Sequence, residues 1–97
     1  MNLHIIHKSA HSHASAQDAL ALINQQDAVI LIDDGTYNAV ADTQISQAFS
    51  AKSQHCYYLQ EHAQARGLNT LSEHFKACSM SDFVNLSLSA KNNISWY

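Results

Sequence analysis

One run of five residues, Ala28-Val29-Ile30-Leu31-Ile32, constrains the fold more than any other feature of this chain. It is apolar without alternation. A strand that meets water on one face alternates apolar and polar side chains. An unbroken run asks for cover on both faces, as in a central strand of a parallel sheet. Asp33-Asp34-Gly35 ends the run sharply.

The remaining pattern fits around that strand. Leu3-His4-Ile5-Ile6-His7 reads as a short first strand, and Lys8 to Ala14 as a polar loop. Ser15 and Asp18 have capping-box spacing, with Asp in place of the usual Glu. Ala16, Ala19, Leu20 and Ile23 recur at helical period, which predicts a helix over Ala16 to Asn24. Thr43 is placed to cap a second helix carrying Ile45, Ala48 and Phe49. Cys56-Tyr57-Tyr58-Leu59 reads as a third strand and Gln60 to Arg66 as a short helix, with Gly67 set to end it in the left-handed conformation. Phe75 to Cys78 reads as a fourth strand, Ser81 to Ala90 as a helix, and Ile94-Ser95-Trp96-Tyr97 as a last short strand.

Strands that alternate with helices predict an α/β fold in one domain, residues 1–97. The expected architecture is an open, mainly parallel sheet of about four to five strands with helices on both faces. In such sheets functional groups gather outside the carboxyl ends of the strands. Here those ends carry His7-Lys8-Ser9 and Asp33-Asp34-Gly35.

Composition narrows the function. A chain of 97 residues buries roughly two-thirds of the surface its unfolded form exposes, enough for one modest core. Only 13% of its residues are charged, so its surface is one a partner can cover, although Ser, Gln, Asn and His also supply polarity. The net charge is −3, and Lys8, Lys52, Arg66, Lys76 and Lys91 are scattered. Direct nucleic-acid binding needs clustered cations and is not expected. Cys56 and Cys78 form neither a CxxC pair nor a disulfide framework. Met1 to Ser9 has no apolar signal core, and no segment approaches the ~20 apolar residues that span a bilayer. A reduced, cytoplasmic protein without membrane attachment is the expectation.

Each chemical constellation has a plain alternative. His4, His7, His11 and His13 crowd the first thirteen residues, but their spacing matches no standard zinc pattern. Polar surface and loop bracing account for them, and no metal is expected. Cys56 lies inside an apolar strand and reads as inert core. Cys78 ends a strand just before a helix, a position that can lower a thiol pKa. It is the alternative reactive thiol. Asp33 and Asp34 are either an acid–base pair or the polar end of a strand, and no partner base accompanies them. The only glycines are Gly35 and Gly67, which excludes phosphate-cradling Gly-rich loops and the Gly-x-Ser-x-Gly elbow. Arg66 reads as a cation on the last carbonyls of its helix. Trp96 is either core filling or an interface anchor.

Several short blocks resemble the TusB/DsrH family. Leu3-His4-Ile5-Ile6-His7-Lys8-Ser9 is similar to its opening Leu-His-Thr-x-x-Lys/Arg-Ser. Asp34-Gly35-Thr36-Tyr37-Asn38-Ala39-Val40 resembles its Asp-Gly-x-x-x-Ala-Val/Leu segment. Tyr58-Leu59 with Ala65-Arg66-Gly67-Leu68 resembles its Tyr-x-Leu … Ala-Arg-Gly-Leu/Phe stretch, and Asp82-Phe83-Val84-Asn85-Leu86 with Trp96 resembles its ending. The blocks fall in order over nearly the whole chain. Two positions depart from the pattern: Ala10 stands where a proline often follows the opening Ser, and Ala19 stands where some DsrH-type members carry a cysteine.

The resemblance implies a DsrE-like fold and a cytoplasmic heterohexamer with TusC-like and TusD-like subunits. That complex passes persulfide sulfur toward thiolation of the tRNA wobble uridine, or serves sulfur oxidation in the DsrEFH branch. The carrier cysteine belongs to the TusD-like partner. Ala19 therefore favours an accessory, non-enzymatic subunit of the tRNA branch, with only an indirect link to tRNA and no cofactor. His4, His7, Lys8, Asp34, Tyr37 and Trp96 are the candidate wall or interface residues. The alternatives are a persulfide carrier using Cys78 and a stand-alone small-molecule binding module.

Overall fold

A computed structural model describes all residues, 1–97. In chain order it contains β1 (Asn2–Ile6), α1 (Ser15–Leu20), β2 (Ala28–Leu31), a 3-10 helix (Asp33–Ala39), α2 (Gln44–Lys52), β3 (His55–Leu59), α3 (Gln60–Ala65), β4 (Phe75–Cys78), α4 (Met80–Ser89) and β5 (Asn92–Trp96). The strands form one five-stranded sheet in the order β4-β3-β2-β1-β5. Every pairing is parallel. The unbroken apolar run is indeed the central strand, with all four residues of β2 buried.

Alternation along the strands divides the core into two layers. Ile6, Val29, Leu31, Cys56 and Phe75 face α1 and α2, meeting Ala16, Ala19, Leu20, Ile45 and Phe49. Leu3, Ile5, Ala28, Ile30, Ile32, Leu59 and Cys78 face the other way, where Phe83, Leu86 and Ala90 pack on them. Each fully buried Leu, Ile or Phe contributes ~1.5–3 kcal/mol relative to exposure. From β1 to β4 the chain steps one strand at a time toward one edge. Only α4 carries it back across to β5 at the other edge. With right-handed crossovers, that reversal puts α4 on the opposite face. Helices therefore cover both faces, but unequally. No helix is long and apolar enough to cross a membrane.

Local signals succeed where their geometry is self-contained. Thr43 Oγ1 accepts from the backbone N–H of Ser46 at 3.2 Å and caps α2. Gly67 takes φ 68° just past α3.

Other boundaries differ. β1 ends at Ile6, so His7 lies just past it. The last strand is Asn92–Trp96, starting before Ile94 and leaving out Tyr97. The capping box expected at Ser15 does not form. The chain arrives through a turn closed by Ser9 O. Ala14 is already helical (φ −83°, ψ −10°), so Ser15 falls inside α1, which ends at Leu20 rather than Asn24. A capping side chain needs an extended backbone to reach the first N–H groups. Ser79 has that backbone (φ −81°, ψ 170°) and makes the reciprocal box with Asp82, starting α4 at Met80. Asp33-Asp34-Gly35 is more than a stop: it opens the 3-10 helix.

Candidate functional site

The carboxyl ends of β1, β2, β3 and β5 converge on one rim. Gly35 sets its geometry. Its N–H donates to His7 O at 3.1 Å and to Ile32 O at 2.8 Å. A Cβ at this position would lie 2.1 Å from Ile6 O, so only glycine lets the 3-10 helix approach β1 this closely. Asn38 braces the facing loop: its Oδ1 accepts from Ala10 N (2.9 Å) and its Nδ2 donates to Lys8 O (3.0 Å).

Four side chains meet at the rim. His7 stacks on Tyr97, with ring centroids 4.4 Å apart and planes 20° apart. Its Nδ1 lies 3.7 Å from Asp33 Oδ2, beyond hydrogen-bond range. Its Nε2 is buried without a partner. Asp33 holds φ 49°, the left-handed region that a non-glycine residue seldom adopts. Its backbone N–H donates to His62 Nδ1 at 2.8 Å. An accepting Nδ1 carries no proton, so the 3.4 Å approach of that atom to Asp33 Oδ1 is not an ion pair. Beside them, Arg66 Nε donates to Asp34 Oδ1 at 2.9 Å. Arg66 Nη1 also donates to His62 O at 3.1 Å, the helix-end role its position predicts.

The sequence candidates separate into two places. His7, Lys8, Asp34 and Tyr37 belong to the rim and its supporting elements. His4 does not reach the surface, being 1% exposed. Its Nε2 lies 3.1 Å from Asp27 Oδ2, and its Nδ1 accepts from Trp96 Nε1 at 3.1 Å. Trp96 is half-buried, and its ring packs on the larger core layer. Asp27 also accepts from the backbone N–H groups of Asn2 and Asn24, both at 3.1 Å. Burial works to raise the Asp27 carboxyl, but these N–H groups and His4 outweigh it and hold the carboxyl below the usual range.

Cys78 ends β4, level with Leu59 at the end of β3, and belongs to the smaller core layer. It borders an open groove of about 460 Å³ together with Tyr57, Lys76, Asp82 and Leu86. It is only 3% exposed. Burial pushes its thiol up to about 11, and the Asp82 carboxylate adds to the rise. The net effect on this thiol is a rise, where its position before a helix suggested a fall. Burial likewise pushes the Cys56 thiol up to about 11, contact with Ser53 working the other way. No three His, Cys, Asp or Glu side chains gather closely enough to hold a metal ion.

Asp27, His62 and Tyr97 escaped the sequence reading. Asp27 carried one usable signal, an acidic residue directly before an apolar strand. Nothing local announces the other two, because α3 and β5 reach the rim only through the sheet order.

Residues 8–93 match the family described as DsrH like protein. The chain belongs to the DsrH family. Within its reach are two curated relatives named Protein TusB. That of Klebsiella pneumoniae subsp. pneumoniae is 28% identical over 85 residues, covering 87% of this chain and 90% of the relative. That of Buchnera aphidicola subsp. Schizaphis graminum is 30% identical over 76 residues, covering 77% and 80%. The crystal structure of the ychN protein from E. coli superposes with a TM-score of 0.76 over 99% of both chains at 15% identity, a likeness of fold alone. The DsrH assignment and this likeness bear out the expected DsrE-like α/β architecture.

Proposed function

We propose that this DsrH-family chain is a non-catalytic subunit of a cytoplasmic TusBCD-like sulfur relay. In this reading it sits with TusC-like and TusD-like subunits, two copies of each. The complex passes persulfide sulfur toward 2-thiolation of the tRNA wobble uridine. Relatives named TusB support the relay reading. One structural observation carries the non-catalytic part: both thiols are buried and pushed up to about 11. A persulfide carrier attacks and leaves as an accessible thiolate, and neither cysteine is disposed to be one.

The chain's contribution is then shape. His7, Lys8, Asp34 and Tyr37 are the rim residues offered to the partner that holds the reactive cysteine. His4 and Trp96 act from inside, by fixing β1 to β5. A wall of this kind keeps water and small thiols from a partner's persulfide.

The test is sulfur transfer in a complex reconstituted with both partner subunits and a persulfide donor. The double variant Cys56→Ala/Cys78→Ala is expected to transfer at a rate close to wild type. Loss of transfer in a folded, fully assembled double variant overturns the reading.

A further inference from the structure

Strand β5 has a single neighbour in the sheet, β1. Its exposed side-chain ties run from Asn92 to Asn2 and from Asn93 to Ser87 O. The tie that reaches inward is Trp96 Nε1 to His4 Nδ1, at 3.1 Å. An indole N–H can only donate. His4 Nδ1 must therefore accept and carries no proton. The single imidazole proton sits on Nε2 and is donated to Asp27 Oδ2. This network fixes the tautomer by chemistry, without any hydrogen being seen.

A second proton on His4 has opposite effects on its two bonds. At Nδ1 it sets one N–H against the indole N–H across 3.1 Å, and the acceptor is gone. At Nε2 it converts a neutral hydrogen bond into a charge-assisted one to the Asp27 carboxylate. One ring cannot satisfy both partners in both protonation states.

We propose that His4 is a proton-operated latch for the last strand. Neutral His4 holds Trp96; protonated His4 releases Trp96 and clamps Asp27. Asp27 is the charged group that faces the ring. In register beside His4 stand Val29 of β2 and Ile94 of β5. Helix α1, which packs on β1 and β5, buries only Ala16, Ala19 and Leu20 against them. None of these residues titrates. Past Trp96, Tyr97 covers His7, which lies beside Asp33. Releasing the indole removes one of the ties that seat Tyr97, while the main-chain bond from His7 N–H to Trp96 O, at 3.2 Å, stays, so the latch loosens this corner of the rim without detaching it.

Trp96 is the only tryptophan, so its indole proton is a unique reporter. The experiment is an NMR titration of the ¹⁵N-labelled full chain from neutral to mildly acid pH, with circular dichroism marking the range in which it stays folded. Expected at neutral pH are an accepting Nδ1 in the His4 nitrogen shifts and a slowly exchanging indole proton. As His4 takes its second proton, the indole proton and the β5 amides should lose protection with the same midpoint. In Trp96→Phe the bond opposing protonation is gone, so the proton affinity of His4 should rise about five-fold, the worth of one net hydrogen bond. Two results overturn the latch in the wild-type chain alone. One is His4 titrating while the indole proton stays protected; the other is His4 staying neutral until the protein unfolds. An unchanged His4 affinity in a folded Trp96→Phe variant also overturns it.

Discussion

Arg66 Nε lies 2.9 Å from Asp34 Oδ1 and joins the end of α3 to the 3-10 helix that follows β2. Both side chains are open to water, 25% and 57% exposed, so screening limits what the pair contributes. Arg66→Ala should cost no more than ~1 kcal/mol in urea unfolding, and less in high salt. A loss several times larger would mean that the rim is a stability element rather than an adjustable surface.

The thiols give a second prediction. With pKa values near 11, roughly one thiol in a thousand is thiolate at pH 8. Maleimide should label the folded chain slowly at neutral pH and quickly once it is unfolded. Asp82→Asn removes the carboxylate that adds to the rise at Cys78. Labelling of Cys78 should then begin at a lower pH, still above the ordinary thiol range because burial is the larger cause. Fast, stoichiometric labelling of folded wild-type Cys78 at pH 7 contradicts this account.

Asp27→Asn replaces an oxygen that N–H groups need with an NH₂ group. It should cost ~2–3 kcal/mol at neutral pH. The sign with pH follows from the lowered carboxyl of Asp27. Its contribution is fully present above the unfolded carboxyl value of about 3.9 and is lost as pH falls through the lower folded value. Urea midpoints of wild type and variant should therefore stay apart above pH ~5 and converge in stronger acid. A gap that fails to narrow in strong acid, as Asp27 itself takes up its proton, refutes the assignment.

Gly35→Ala drives a methyl group into the backbone of Ile6, 2.1 Å from its carbonyl oxygen. Because the obstacle is main chain, it cannot swing aside. The cost should be ~3 kcal/mol or more, a fall in Tm of about 12 °C or more for a domain this size. A variant as stable as wild type would show that the 3-10 helix moves freely from β1.

How much of this was legible in the sequence depended on distance along the chain. Ala28 to Leu31 announced a central strand because burial on both faces is written into its own side chains. Thr43 announced its cap because donor and acceptor are three residues apart. Ser15 carried a similar spacing and failed, since the turn from Ser9 fixes the entry angle and no short pattern encodes it. Cys78 was placed correctly at a strand end, but the burial that raises its thiol depends on α4 folding back over it, and the Asp82 carboxylate only adds to that rise. His4 stood out as one of several histidines. Its partners lie 23 and 92 residues away and meet it only through parallel register.

That register also bears on the order in which the protein can be made. β1 leaves the ribosome first, yet one of its two neighbours is β5, whose residues start at Asn92. Until those residues emerge, the nascent chain carries β1 as a bare edge, with an imidazole in its core that has no indole to bind. The finished sheet thus waits on β5, and any chain cut short before it ends its sheet on the apolar flank of β1 instead of on the more polar β5, with its Asn92, Asn93 and Ser95.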